Sequence, residues 1–213
     1  MPVELEWVKP PQQVRSQQTL ERFLVAAEEL ILERGPDAFT VQEVARRAES
    51  SVGAFYSRFP DKEALLRCVF QRFYEQATAT VDAVLAPERW REVPTRELIG
   101  AAMAFLLRVF RDKRQLILAL TLRAIRDPDL GSYGVRVGER IALRAAELLR
   151  DRHEQMRHPE PDKAIIFVIW LVLSALDARA IGSAHGGNVI PDPWVGEELT
   201  RMTLSYLGIH DKE

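Results

Sequence analysis

Two capping signals eleven residues apart constrain this chain more than anything else in it. Thr40-Val41-Gln42-Glu43 has the form of a capping box: the Thr40 hydroxyl accepts a first-turn amide while Glu43 reaches back to the amide of Thr40. Ser51 offers a second hydroxyl cap. The spacing predicts two short helices, Val41–Ala48 and Val52–Phe59. Helices this short are unstable alone and must pack at an angle on a third. That third element lies just upstream, where Leu20, Phe23, Leu24, Ala27, Leu30 and Ile31 recur at helical steps until Gly35-Pro36-Asp37 stops them.

On the second short helix, about 100° per residue turns Phe55 and Phe59 to the core, where the apolar face of Val41, Val44 and Ala45 also belongs. Gly53, Ala54, Tyr56 and Ser57 then occupy the opposite or flanking arc, and the outward face is small and uncharged. A helical glycine costs about 1 kcal/mol relative to alanine. A helix that must approach a groove closely has a reason to carry it; an ordinary solvated helix has little. Tyr56 can donate its hydroxyl to a phosphate, or simply cover the edge of the Phe55/Phe59 cluster. Lys62 follows the expected cap Asp61 at the start of a long helix. A cation there opposes the helix dipole unless a phosphate sits at that terminus. Val52 and Ala54 can meet thymine methyls, and Arg58 lies near the edge of the face.

This stretch resembles the TetR family of repressors. The resemblance rests on Ala48-Glu49-Ser50-Ser51-Val52-Gly53-Ala54-Phe55-Tyr56-Ser57-Arg58-Phe59-Pro60-Asp61-Lys62-Glu63-Ala64-Leu65, with Phe39-Thr40-Val41-x-Glu43-Val44-Ala45 upstream. Glu49 replaces the family's usual turn glycine and Ser50 a common valine. The resemblance covers about residues 17–70 and implies that Thr40, Val52, Gly53, Ala54, Tyr56, Ser57 and Lys62 face DNA. It further implies a dimer whose ligand domain shifts the reading heads through the helix from Asp61 to about Leu85, and, at family level, repression.

The rest of the 213 residues reads as all-α, about nine helices in total, with further helical patterns at 95–111, 114–126, 133–153, 162–183 and 193–207. The weakest boundary is near Arg111–Lys113, and Pro87 and Pro94 bracket a loop. The expected organisation is a flexible arm at 1–16, a helix-turn-helix domain at 17–63 and a ligand-binding and dimerisation domain at 64–213. With 47% hydrophobic and 28% charged residues the chain has the composition of a folded protein. The net charge is −2, and residues 1–62 carry eight Lys/Arg against ten Asp/Glu. Any DNA contact must therefore be local rather than a polyelectrolyte coat.

Cys68, the single cysteine, excludes an intramolecular disulfide and fits a cytoplasmic setting; the first residues lack a signal pattern. Ala164–Leu176 is apolar but too short to span a bilayer, which takes about 20 residues, and reads as a buried interface helix. The last two helices are expected to form a homodimer. On 162–183, Ile166, Trp170, Ser174, Asp177 and Ile181 share one face and Ile165, Val172 and Leu176 another; which one meets the partner subunit is open. Phe105, Leu106, Val109, Leu120, Arg123, Trp170 and Asp177 are candidates for the wall of a small-molecule effector cavity, an apolar wall with a few polar groups.

No metal or cofactor is expected. His153-Glu154-Gln155-Met156-Arg157-His158 resembles a zinc-protease motif but puts its histidines five residues apart, about 140° around a helix. His185-Gly186-Gly187 reads as a helix terminator. A catalytic function is not expected; the alternative is an all-α interaction module or small-molecule-binding protein without DNA binding, which leaves the small outward face beside Tyr56 and Lys62 unexplained.

Overall fold

The computed structural model describes residues 14–184 and 190–209, and among them every regular element is helical. Ten α-helices run in the order α1 (Val14–Arg34), α2 (Val41–Arg47), α3 (Val52–Tyr56), α4 (Lys62–Val84), α5 (Pro87–Trp90), α6 (Thr95–Asp112), α7 (Arg114–Ala124), α8 (Pro128–Leu149), α9 (Pro161–Ala184) and α10 (Asp192–Leu207). A 3₁₀ turn, Arg150–Gln155, follows α8. The tenth helix is α5, one turn inside the stretch expected to be loop, begun by a proline at its first position, where a missing N–H costs nothing. The break between α6 and α7 falls at Lys113.

Packing divides the chain into two units, neither of them the 17–63 or 64–213 expected from the pattern. The first comprises residues up to 76 together with 113–134, the second 77–112 together with 135–213. Most of the expected arm and His185-Gly186-Gly187 lie outside the described residues, and α1 already begins at Val14.

In the first unit the aromatic core predicted from helix periodicity assembles. Phe23, Phe55 and Phe59 are fully buried, with Phe23 edge-on to Phe55 at 5.7 Å and to Phe59 at 6.2 Å between centroids. Such pairs add about 0.5–1.5 kcal/mol beyond burial. α7 packs against α1 and brings Leu116 and Leu120 into this core. Buried Arg72 joins α4 to α1 through Glu21 (2.6 Å) and Glu28 (2.8 Å), and Lys113 also reaches Glu28 (2.7 Å).

The second unit has its own core, built from α6, the C-terminal part of α8, α9 and α10. Ile165, Val168, Val172 and Leu176 of α9 are buried in it. Pro161–Gly182 of α9 is long and apolar enough by length and composition alone to cross a membrane, so shortness does not set it apart. Its buried face and the adjoining Arg179–Asp192 ion pair (2.6 Å) are those of a core helix instead. Asp82 on α4 accepts from Arg140 (2.7 Å) and Arg144 (2.9 Å) of α8, and these hydrogen bonds hold its carboxyl down at about 2.

Candidate nucleic-acid interface and cavity

Both caps form as the sequence dictates. The Glu43 amide donates to Thr40 Oγ1 (3.2 Å), and the Thr40 amide donates to Glu43 Oε2 (2.8 Å). That backbone hydrogen bond, followed by one from Arg34, holds the Glu43 carboxyl below its ordinary value. Ser51 Oγ accepts from the Ala54 amide at 3.0 Å. The turn between α2 and α3 closes through Ser50 N–H to Ala45 O (2.9 Å) and requires Glu49 in the left-handed region, φ 49°. This is the position of the family's usual turn glycine, so Glu49 adopts the turn backbone despite its side chain.

α3 is shorter than expected, ending at Tyr56, with Ser57 as its C-cap. Ser57 Oγ donates to Ala54 O at 2.8 Å. Thr40, Gly53, Tyr56 and Ser57 are exposed, Tyr56 to 54% while its ring stands edge-on to Phe55 at 5.3 Å. Tyr56 therefore both covers the phenylalanine cluster and presents its outer side to solvent. Val52 and Ala54 are only partly exposed because they also pack on the core. Arg58, at the edge of the face, donates to Ala54 O and Ser57 Oγ, both at 3.3 Å.

Gly53 is the informative position. A Cβ added there would meet nothing closer than Ser51 Oγ at 3.8 Å, an ordinary contact, and its φ lies outside the left-handed region. The fold itself thus has room for a side chain at a site where glycine is costly.

Lys62 is not the free cation its position at the start of α4 suggests. Its Nζ donates to Phe39 O at 2.7 Å and lies 4.3 Å from the Phe39 ring centroid. Burial pushes its pKa below the ordinary lysine value. The helix N-terminus is capped by Asp61, which accepts from the Ala64 amide at 2.8 Å. On α2, Arg47 is tied to Glu33 (2.5 Å), whereas Arg46 is exposed and forms no ion pair among the described residues.

The second unit holds a partly open apolar cavity of about 100 Å³ walled by α4, α6, α8, α9 and α10. Of the seven candidates for an effector wall, Phe105 and Leu106 line it and five do not. Val109 lies further along α6, outside the wall. Leu120 and Arg123 belong to the first unit because α7 folds back on α1; Arg123 faces Asp37 (3.3 Å) and Glu63 (3.7 Å). Trp170 is 62% exposed on the outer side of α9, and Asp177 is half-buried away from the wall, its carboxyl raised by burial.

Thr203 of α10 does line the cavity and was not among the candidates. A lone hydroxyl between Leu199 and Leu207, at helical steps on an apolar face, is the signal that would have found it.

His153 lies in the 3₁₀ turn, 3.5 Å from Asp162, while the His158 ring lies tilted against Tyr206 with centroids 5.1 Å apart, so the zinc-protease-like pair does not share a helix.

Comparison with known proteins agrees with this geometry. Residues 23–69 match the sequence model described as bacterial regulatory proteins, tetR family. The HTH-type transcriptional regulator CymR of Pseudomonas putida is 31% identical over 126 residues, which is 59% of this chain and 61% of that protein, short of its full length. Among solved structures, a transcriptional regulator from Rhodococcus sp. Rha1 superposes with a TM-score of 0.67 at 23% identity, covering 91% of this chain and 98% of that one. A TetR-family transcriptional regulator from Streptomyces coelicolor gives 0.69 at 17% identity, covering 91% and 82%. At those identities the likeness is one of fold. The motif, the two caps and the family match thus fall in one segment, and over residues 23–69 the chain is similar to bacterial regulatory proteins of the tetR family.

Proposed function

We propose that this chain is a cytoplasmic, ligand-responsive repressor that binds an inverted-repeat operator as a homodimer and is released by a small, mostly apolar effector. The observation that carries the DNA part is Gly53, a glycine that the fold does not need, on the exposed side of α3 between two hydroxyl-bearing caps. A major groove admits a helix whose outward face is small. Thr40, Val52, Gly53, Ala54, Tyr56, Ser57 and Lys62 form that face in the proposal, with Lys62 offering a phosphate the donors its Phe39 bond leaves free. Few groups here can read bases directly, so methyl contacts and DNA shape carry much of the specificity.

Dimerisation is assigned to the outer side of α9 and α10. Ile166, Phe167 and Trp170 are exposed side by side on α9, and Phe167 also meets Tyr206 of α10 with centroids 5.5 Å apart. A contiguous exposed aromatic and aliphatic patch of this kind marks an association surface. The face with Ile165, Val172 and Leu176 is occupied by the subunit's own core, which leaves the Ile166/Trp170 side for the partner. The effector is assigned to the apolar cavity of the second unit.

Selection of bound duplexes from a random DNA pool, with purified protein at moderate salt, tests the proposal. An inverted repeat with half-sites about one helical turn apart is the expected result. Recovery of no enriched sequence, repeated at low salt and after refolding to strip bound effector, would overturn it in favour of an interaction module.

A further inference from the structure

The cavity of the second unit has one chemical singularity. Among the described residues its wall is made of Val, Leu, Ile, Ala, Met and Phe side chains together with Thr203, the one residue there with a polar side chain. Thr203 is 3% exposed, and its Oγ1 has no hydrogen-bond partner. One turn earlier, Thr200 Oγ1 donates to Gly196 O at 2.7 Å, the ordinary way for a helical threonine to satisfy itself. A buried hydroxyl left unsatisfied costs about 1–3 kcal/mol. Valine has nearly the same shape and would remove that cost.

Water is a poor solution to this deficit. A buried water needs two to four polar partners, and this wall presents no polar surface to the space, its one hydroxyl being buried in the wall itself. An apolar molecule bearing one polar atom fits better, because its body replaces dry void and its polar atom meets Thr203. A helical threonine has two accessible χ1 rotamers, and such an occupant must draw the Thr203 hydroxyl into the one that faces it. The wall holds no charged group, so a carboxylate or ammonium would enter without compensation. Size narrows the class further: a dry apolar cavity of roughly 150 Å³ accepts a benzene ring. The space here is about 100 Å³, and Met103 in the wall is an unbranched side chain that yields readily.

We propose that this cavity takes an uncharged, single-ring compound carrying a hydroxyl, and that Thr203 is the residue that selects for that hydroxyl. The inference rests on the assignment of the cavity as the effector site and adds to it the chemical class and the selecting residue.

The test is direct binding of phenol, toluene and benzoate to the full-length protein by calorimetry or thermal shift, with no DNA present. Phenol is expected to bind several-fold to about tenfold more tightly than toluene, the size of one hydrogen bond, and benzoate to bind far more weakly than either. Thr203→Val should fold and abolish the preference for phenol over toluene, while Thr203→Ser should retain it. Toluene binding as well as phenol, a preference untouched in Thr203→Val, or no ring bound at millimolar concentration would each overturn the inference. Operator release is scored separately. Thr203-dependent phenol binding supports the inference even where phenol leaves the operator complex intact, a result that would count against the cavity as the effector site and not against its chemistry.

Discussion

The Lys62 ammonium is held by the backbone of Phe39, donating a 2.7 Å hydrogen bond to the Phe39 carbonyl while lying 4.3 Å from the centre of the same residue's ring. The contact ties the first residue of α4 to the segment leading into α2, so a residue expected to act on DNA also braces the reading domain from within. Lys62→Met removes the donor from a carbonyl of a buried residue, and the expected loss in urea unfolding is roughly 1–2 kcal/mol. If the same ammonium also meets a phosphate, the variant lowers the salt dependence of operator binding by about one unit in log–log slope. A lower stability with an unchanged slope would leave Lys62 a structural role alone.

Glu49 occupies the left-handed region, φ 49°. An L-residue there costs roughly 1–2 kcal/mol, whereas introducing glycine costs about 0.4–1 kcal/mol through the unfolded chain. The first term wins, so Glu49→Gly should stabilise by about 0.5–1 kcal/mol. That corresponds to a rise of roughly 1–4 °C in Tm. The bond from Arg22 to Glu49 O is to the backbone and survives the change. A fall in Tm would show that the Glu49 side chain supports the turn.

Trp170 leaves the subunit core intact when altered because most of its surface faces outward. Trp170→Glu places a charge in the exposed patch with Ile166 and Phe167. Sedimentation should then report a monomer with unchanged helical content, and operator affinity should fall with it. A dimer of wild-type strength would move the interface elsewhere.

Asp177 is raised above its ordinary value by burial, so its charged form is penalised in the folded state. Well below the ordinary value of 3.8 the carboxyl is protonated in the folded and the unfolded state alike, and the penalty is absent. The penalty grows as pH rises through the ordinary value and is complete above the raised one. Asp177→Asn should therefore stabilise the protein near pH 7 and confer no gain below about pH 3. Thermal melts of both proteins across that range check the sign. Asp82 behaves oppositely. Its bonds to Arg140 and Arg144 contribute stability above its ordinary 3.8, lost as pH falls through about 2.

The local grammar of this chain was legible residue by residue. Thr40 and Ser51 cap as their side chains dictate, Phe55 and Phe59 turn inward at helical spacing, and the α6–α7 break falls at Lys113. These outcomes depend on neighbours within a few positions, and short-range hydrogen bonding and periodicity encode them. The packing of distant segments was not legible in the same way. Whether Leu120 and Arg123 belonged with the cavity or with α1 depended on where α7 folds back, and helical periodicity is blind to that. The two apolar faces of α9 are equally good candidates for burial in sequence; only competition for the core among α6, α8 and α10 placed Ile165, Val172 and Leu176 inside and left Trp170 out. Lys62 shows the same division. Its place at the start of a helix was fixed by a pattern of neighbours, but its hydrogen bond spans 23 residues to Phe39, a distance only the folded chain closes.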